Sequence, residues 1–335
     1  MSRPARPWLT TAVCTAAIGV GAALGFVPGY VSVALQDSLG LSNAQVGLLV
    51  SLYFGSTGLA SVGGGRLTAR FGARAVVAAD MVVVAACAVV GAITEHYLVL
   101  LASAVVAGAG YAWANAGTNE AVALTVPTRH RTIALSIKTA GAPIMAATAA
   151  ALGAPAAARW SWTVVWLAVA IAATVVAVAV VLVLDDQRTA ATTHPSPDLA
   201  PSSDLAAPDH ENRGSQPPES SGSVLSPDLA APGHENRGSQ PPEPTGVELR
   251  AFHWFSLASF LFIAGSQPIF SWVVPYLQDR LDQPPEVAGG LASVAAGFGV
   301  VVMIGNGRLA DRVGPDRRVG RLLALVMAAT VGLAA

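Results

Sequence analysis

The sequence predicts an all-α, polytopic membrane bundle: a six-helix half followed by an incomplete second half, about nine segments in all. Three observations predict it. Apolar runs long enough to cross a bilayer, which takes roughly 20 residues, recur along the chain. The composition is 53% hydrophobic and only 12% charged, with a mean hydropathy of +0.56, whereas a soluble domain carries about 25% charged residues. And one short basic motif occurs twice. Gly65-Arg66-Leu67-Thr68-Ala69-Arg70-Phe71-Gly72 returns as Gly307-Arg308-Leu309-Ala310-Asp311-Arg312-Val313-Gly314, 242 positions later (307 − 65). The same offset pairs Leu35-Gln36-Asp37 with Leu277-Gln278-Asp279, Gly47 with Gly289 and Gly63 with Gly305. Duplicated halves built from repeats of opposite topology are a transporter-type layout.

The expected spans cover 10–34, 44–64, 75–94, 97–122, 132–153, 161–184, 252–276 and 287–306, and a ninth begins near Leu322 and runs to Ala335. The basic start, Met1 to Trp8, precedes a long apolar run without the short core and small-residue cleavage site of a signal peptide, so the first run reads as a retained span. Pro28, Pro143, Pro268 and Pro275 fall inside spans. Membrane helices tolerate them because neighbouring helices satisfy the freed backbone groups. Cys14 and Cys87 lie in apolar runs and read as small packing residues, not as a metal pair or a disulfide. Trp8, Trp160, Trp162, Trp166 and Trp254 gather toward span ends, the place of interfacial anchors.

Arginine placement sets the orientation. With the N-terminus inside, Arg3, Arg6, Arg66, Arg70, Arg74, Arg129, Arg131, Arg188, Arg213, Arg237, Arg250, Arg308, Arg312, Arg317, Arg318 and Arg321 are cytoplasmic, against Arg159 and Arg280 outside. The expected orientation puts the N-terminus and the linker in the cytoplasm, and the near absence of lysine beside abundant Ala and Val points to a bacterial chain, so the expected membrane is a bacterial inner membrane. Three units follow. Residues 1–184 form a six-helix half, 185–250 a linker, and 251–335 an incomplete second half. The linker is rich in Pro, Ser, Asp, Glu and Gly, and Asp204 to Glu219 recurs as Asp228 to Glu243 with one difference, Asp209 against Gly233. Such a composition cannot bury enough apolar surface to offset ordering entropy and is expected to be disordered.

The paired motif has a physical logic. A short turn needs glycine. Arginine anchors helix ends at the inner interface, and an acid can pair with it or face a helix N-terminus. The C-terminal copy carries Gly307, Arg308, Asp311, Arg312, Gly314, Arg317 and Arg318. The N-terminal copy keeps Gly65, Arg66, Arg70, Gly72 and Arg74 but has Ala69 where the acid stands in the other. Both resemble the signature loop of the major facilitator superfamily, between the second and third helices of each half. The resemblance implies a secondary transporter whose loops latch the halves together on the cytoplasmic side and let go as they rock. The arginines of these loops either serve the latch or only anchor topology, and Asp311 is expected to latch at the start of the fifth helix, near Arg129 and Arg131. Lys138-Thr139-Ala140-Gly141-Ala142-Pro143 resembles the fifth-helix motif of a bacterial branch that includes cyanate and nitroimidazole-type transporters.

Polar groups within spans are costly and point to function. Glu120 and Lys138 stand at similar depth on consecutive antiparallel helices, roughly 9–11 Å from the inner boundary at 1.5 Å per residue. A Glu120–Lys138 pair is expected, either fixing helix register or serving as a gate, a proton-coupling site or an attractor of anions. Asn115 and Asn119, four apart, share a helix face that either bonds a neighbour or lines a cavity. Gln267 beside Pro268 is a similar candidate, while Tyr111 and Trp113 read as packing.

No metal-spaced His/Cys cluster, nucleotide-binding glycine loop or nucleophile turn occurs, so no enzyme, cofactor or ATP-driven pump is expected. A net charge of −1 gives no attraction to nucleic acid. The expected partners are the lipid bilayer, a small-molecule substrate (an organic solute or anion) and protons as the coupling ion. Multidrug efflux is the alternative within the class. Outside it stands a non-transporting remnant or membrane scaffold, since the tenth and eleventh helices of the family cavity have no counterpart before Ala335 and the N-terminal loop acid is missing.

Overall fold

The computed structural model describes residues 6–185 and 272–313, with side chains in the second stretch through Gly305 and at Arg308. The linker, Gln267, Gly314, most of the expected 252–276 span and the ninth segment lie outside the described residues, as do the surroundings of Gly307 and the side chains of Asp311 and Arg312. Among the described residues every regular element is helical.

The first span is a bent pair, α1 (Pro7–Gly21) and α2 (Ala23–Tyr30), turned by 48°. Pro28 lies inside α2, where it lacks the N–H that would bond the preceding turn. α3 (Ser32–Leu39) stops at Gly40, whose left-handed φ of 65° ends the helix. α4 (Asn43–Phe71) opens on a capping box. The Ser42 N–H donates to Gln45 Oε1 at 2.8 Å, and the Gln45 N–H to Ser42 Oγ at 3.3 Å. α5 (Ala73–Thr94) follows after Gly72 alone, and α6 (Tyr97–Thr125) after Glu95 and His96.

The fifth span, 128–159, is helical but interrupted. α7 (Arg131–Thr139) and α8 (Gly141–Thr148) meet at Ala140, and a π-helical turn, Ala149–Gly153, leads into α9 (Ala154–Arg159). Both irregularities have prolines in register. The ring of Pro143 crowds the carbonyl four residues back, at Thr139, and Pro155 cannot donate to that of Ala151. α10 (Trp162–Val183) starts on Ser161, whose Oγ accepts the Thr163 N–H at 3.1 Å. Beyond the linker, α11 is helical over 272–281 and α12 is Pro285–Val313.

Among the described residues, six helical stretches are long and apolar enough to cross a membrane, seven if α1–α2 counts as one span. α4 packs along α6, α5 lies between α6 and α10, α1 sits among α6, α7, α8 and α10, and α12 runs along α7 to α9. The outer face is apolar: Ile171 and Val175 on α10 are 66% and 62% exposed. That is the polarity of a helix facing hydrocarbon, and water would punish a patch of this kind.

Candidate functional site

The site grows from the discontinuity in the fifth span. At the α7–α8 junction the backbone comes against α1 so closely that a Cβ on Gly141 would collide with the Thr15 carbonyl. Thr15 Oγ1, which donates to the Thr11 carbonyl at 2.8 Å, also lies 3.4 Å from the Ile137 carbonyl, so the same two helices touch here as well. This contact carries the next side chain, Lys138, into the bundle between α1 and α6, where it is 2% exposed.

Its ammonium bonds two amides. Lys138 Nζ donates to Asn115 Oδ1 at 2.5 Å and to Asn119 Oδ1 at 2.8 Å. The shared face expected of the two asparagines is the face that meets α7. Because ammonium only donates, both amides must turn their oxygens toward it. Their NH₂ groups therefore point away from the charge, and both residues are exposed. The cluster presents amide N–H donors on its outer side, backed by a buried cation with no carboxylate to neutralise it among the described residues.

The expected Glu120–Lys138 ion pair is not formed. Glu120 follows Asn119 by one residue, which rotates it about 100° around α6 and away from the ammonium, and it stays half-buried. Azimuth around the helix, not depth along it, decides which group the lysine meets. Tyr111 and Trp113 serve in packing. The Tyr111 ring lies 6.0 Å from that of Tyr53, and Trp113 Nε1 donates to the Ala60 carbonyl at 3.1 Å.

In the basic loop, Gly72 alone joins α4 to α5 at φ 83° and ψ 151°, a conformation that essentially only glycine adopts. Arg70 lies 5.2 Å from the Phe71 ring centroid, Arg66 is exposed and Arg74 half-buried. Gly65 has open space where a Cβ would stand, so packing among the described residues does not require it. Near the start of α7, a cleft of about 460 Å³ opens between α7 and α12, lined by Thr128, Arg131, Thr132, Ser136, Thr139 and others.

A family model described as Major Facilitator Superfamily matches residues 9–335, nearly the whole chain. The chain belongs to the major facilitator superfamily. Among curated proteins no match was found. Membership makes this a multi-pass membrane transporter of the secondary type, acting on small solutes, and points to a non-enzymatic role. It accounts for the basic loop, which the bundle places where the superfamily resemblance expects it, between the second and third spans. It does not account for a charged residue that sequence reasoning passed over. Asp80 on α5 is 3% exposed, and neither of its oxygens has a hydrogen-bond partner among the described residues. The signal was present, since Asp80 is the one charge between Arg74 and Glu95.

Proposed function

We propose that this superfamily member moves a small organic anion by alternating access, driven by an ion gradient, with protons as the coupling ion. Two units, residues 1–184 and 251–335, rock about a site near the bilayer midplane, joined by the 185–250 linker. The observation that carries the reading is the Lys138–Asn115–Asn119 cluster. An uncompensated buried cation behind outward-facing amide donors suits a carboxylate or a similar anion. Exposed asparagines are poor lipid neighbours, which supports assigning that edge of α6 to a cavity. The anion preference, together with Lys138 to Pro143, favours the branch of cyanate and nitroimidazole-type transporters over multidrug efflux. The paired basic loops act as cytoplasmic latches, with the N-terminus and linker on the cytoplasmic side of a bacterial inner membrane.

The test is uptake into proteoliposomes holding the purified full chain, with a panel of radiolabelled small carboxylates, neutral solutes and a cationic dye, under an imposed pH gradient. Accumulation of at least one carboxylate, lost in Lys138→Gln, is the expected result. Dye transport without carboxylate uptake would overturn the anion assignment and favour efflux.

A further inference from the structure

Asp80 sits where three helices touch. Its carboxyl lies against bare backbone on two sides: a Cβ on Gly110 of α6 would stand 2.5 Å from Oδ1, and one on Gly21 of α1 would stand 3.2 Å from Oδ2. Gly21 is the last residue of α1, at the 48° bend into α2, and its carbonyl accepts the Tyr53 hydroxyl at 2.6 Å. The Tyr111 ring closes over the same glycine, 3.1 Å from where its Cβ would be.

Among the described residues, every element packed on this carboxyl lacks a cation to meet it. α10 carries no titratable residue. α1 offers only Cys14, which neighbours Lys138 instead. α4 contributes Tyr53, already donating to Gly21, and α6 contributes Tyr111. Cys87 is the titratable neighbour on α5 itself. The Lys138 ammonium is bound to the two asparagines. A carboxylate stripped of water, donors and counter-charge is strongly disfavoured in such a place. A carboxylic acid is not, because the proton cancels the charge. Contact with glycine backbone on both sides leaves the group gripped and favours a bare proton over a hydrated metal cation as its occupant.

We propose that Asp80 is a proton-binding site of the N-terminal half, occupied while α1, α5 and α6 are closed around it. Parting the helices at the α1–α2 bend would let water reach the carboxyl, and the proton would pass to that water and leave a carboxylate. The site is separate from the Lys138 cluster and uses a different residue from Glu120, the group that position in the sequence favoured. Using this proton to drive solute movement rests on the transporter reading above. Occupancy itself does not, and the experiment reads occupancy alone.

The test is infrared spectroscopy of the purified full chain in lipid nanodiscs at pH 7, with carboxyl-labelled [¹³C]aspartate or [¹³C]glutamate incorporated in turn. The expected result is a protonated-carboxyl C=O stretch that shifts with labelled aspartate and not with labelled glutamate. The band should vanish in Asp80→Asn and persist in Glu120→Gln. Should the Asn variant fail to fold, Asp80→Glu decides instead, because the band should then shift with labelled glutamate and no longer with labelled aspartate. A wild type without an aspartate-dependent band, or a band that survives Asp80→Asn, would overturn the proposal. Failure of carboxylate uptake with the band present would leave the proton site standing and sink only the anion reading.

Discussion

Lys138→Met separates a lysine kept for recognition from one kept to pin helices. Methionine keeps the unbranched stem that threads between α1 and α6 and deletes only the ammonium. The deletion removes two hydrogen bonds, to Asn115 and Asn119, each worth about 1.5–3 kcal/mol because the donor is charged. Against that loss of roughly 3–6 kcal/mol stands the several kcal/mol cost of burying the ion, which also disappears. The freed amide oxygens are not stranded, because both asparagines are exposed and can take water as a partner. The two terms nearly cancel, so the variant should unfold within about 2 kcal/mol of the parent, a shift of a few degrees in a detergent melting curve. Carboxylate uptake should fall at least tenfold, the equivalent of about 1.4 kcal/mol of lost anion stabilisation. A variant that will not fold, or that melts far lower, would mean that the ammonium holds the bundle together. Unchanged melting with unchanged uptake would remove Lys138 from the site altogether.

Three further outcomes follow from the packing. Gly72→Ala must place a side chain at φ 83°, which costs about 1–3 kcal/mol; a lower melting midpoint is expected, and an unchanged one would show that the turn relaxes freely. Gly141→Ala drives a methyl into the Thr15 carbonyl and should destabilise by about 1–3 kcal/mol as α1 and α8 part; engineered cysteine cross-links between these helices should form more slowly, and equal rates would contradict the close contact. Ser293→Ala deletes a hydroxyl whose single proton is shared between the Ala147 and Gly289 carbonyls, both 2.7 Å away. It should weaken the seam between α12 and the fifth span by about 0.5–1.5 kcal/mol, measured as a lower melting midpoint in detergent; an unchanged midpoint would show that the seam does not depend on this bond.

Much of this could be read from the chain because membrane helices leave few choices. Without water in the bilayer, backbone polar groups must bond within the helix, so each apolar run of sufficient length becomes a span. Six of the runs are found as candidate spans, and the first appears as the bent α1–α2 pair. Gly72 was legible for a local reason, since a one-residue turn needs the conformation that glycine alone tolerates. The kind of residue at the site was legible too. Asn115, Asn119 and Lys138 stand out because polar groups within apolar runs are costly. Their partnership was not. Periodicity puts the asparagines on one face of α6, but whether Lys138 meets that face or Glu120 depends on how α7 rolls against it. The close approach at Gly141 sets that roll.

The sequence by itself determined the number and order of the spans on the N-terminal side, the superfamily loop and the residues whose presence needs explaining, because these follow from local composition and spacing. Only the tertiary structure decided that the buried ammonium rests on two amides and that Asp80 lies sealed against Gly21 and Gly110 without a partner among the described residues. The physical reason is that a charge in a low-dielectric interior is governed by what lies within a few ångströms of it. Those neighbours come from other helices, and helix packing, not chain position, chooses them.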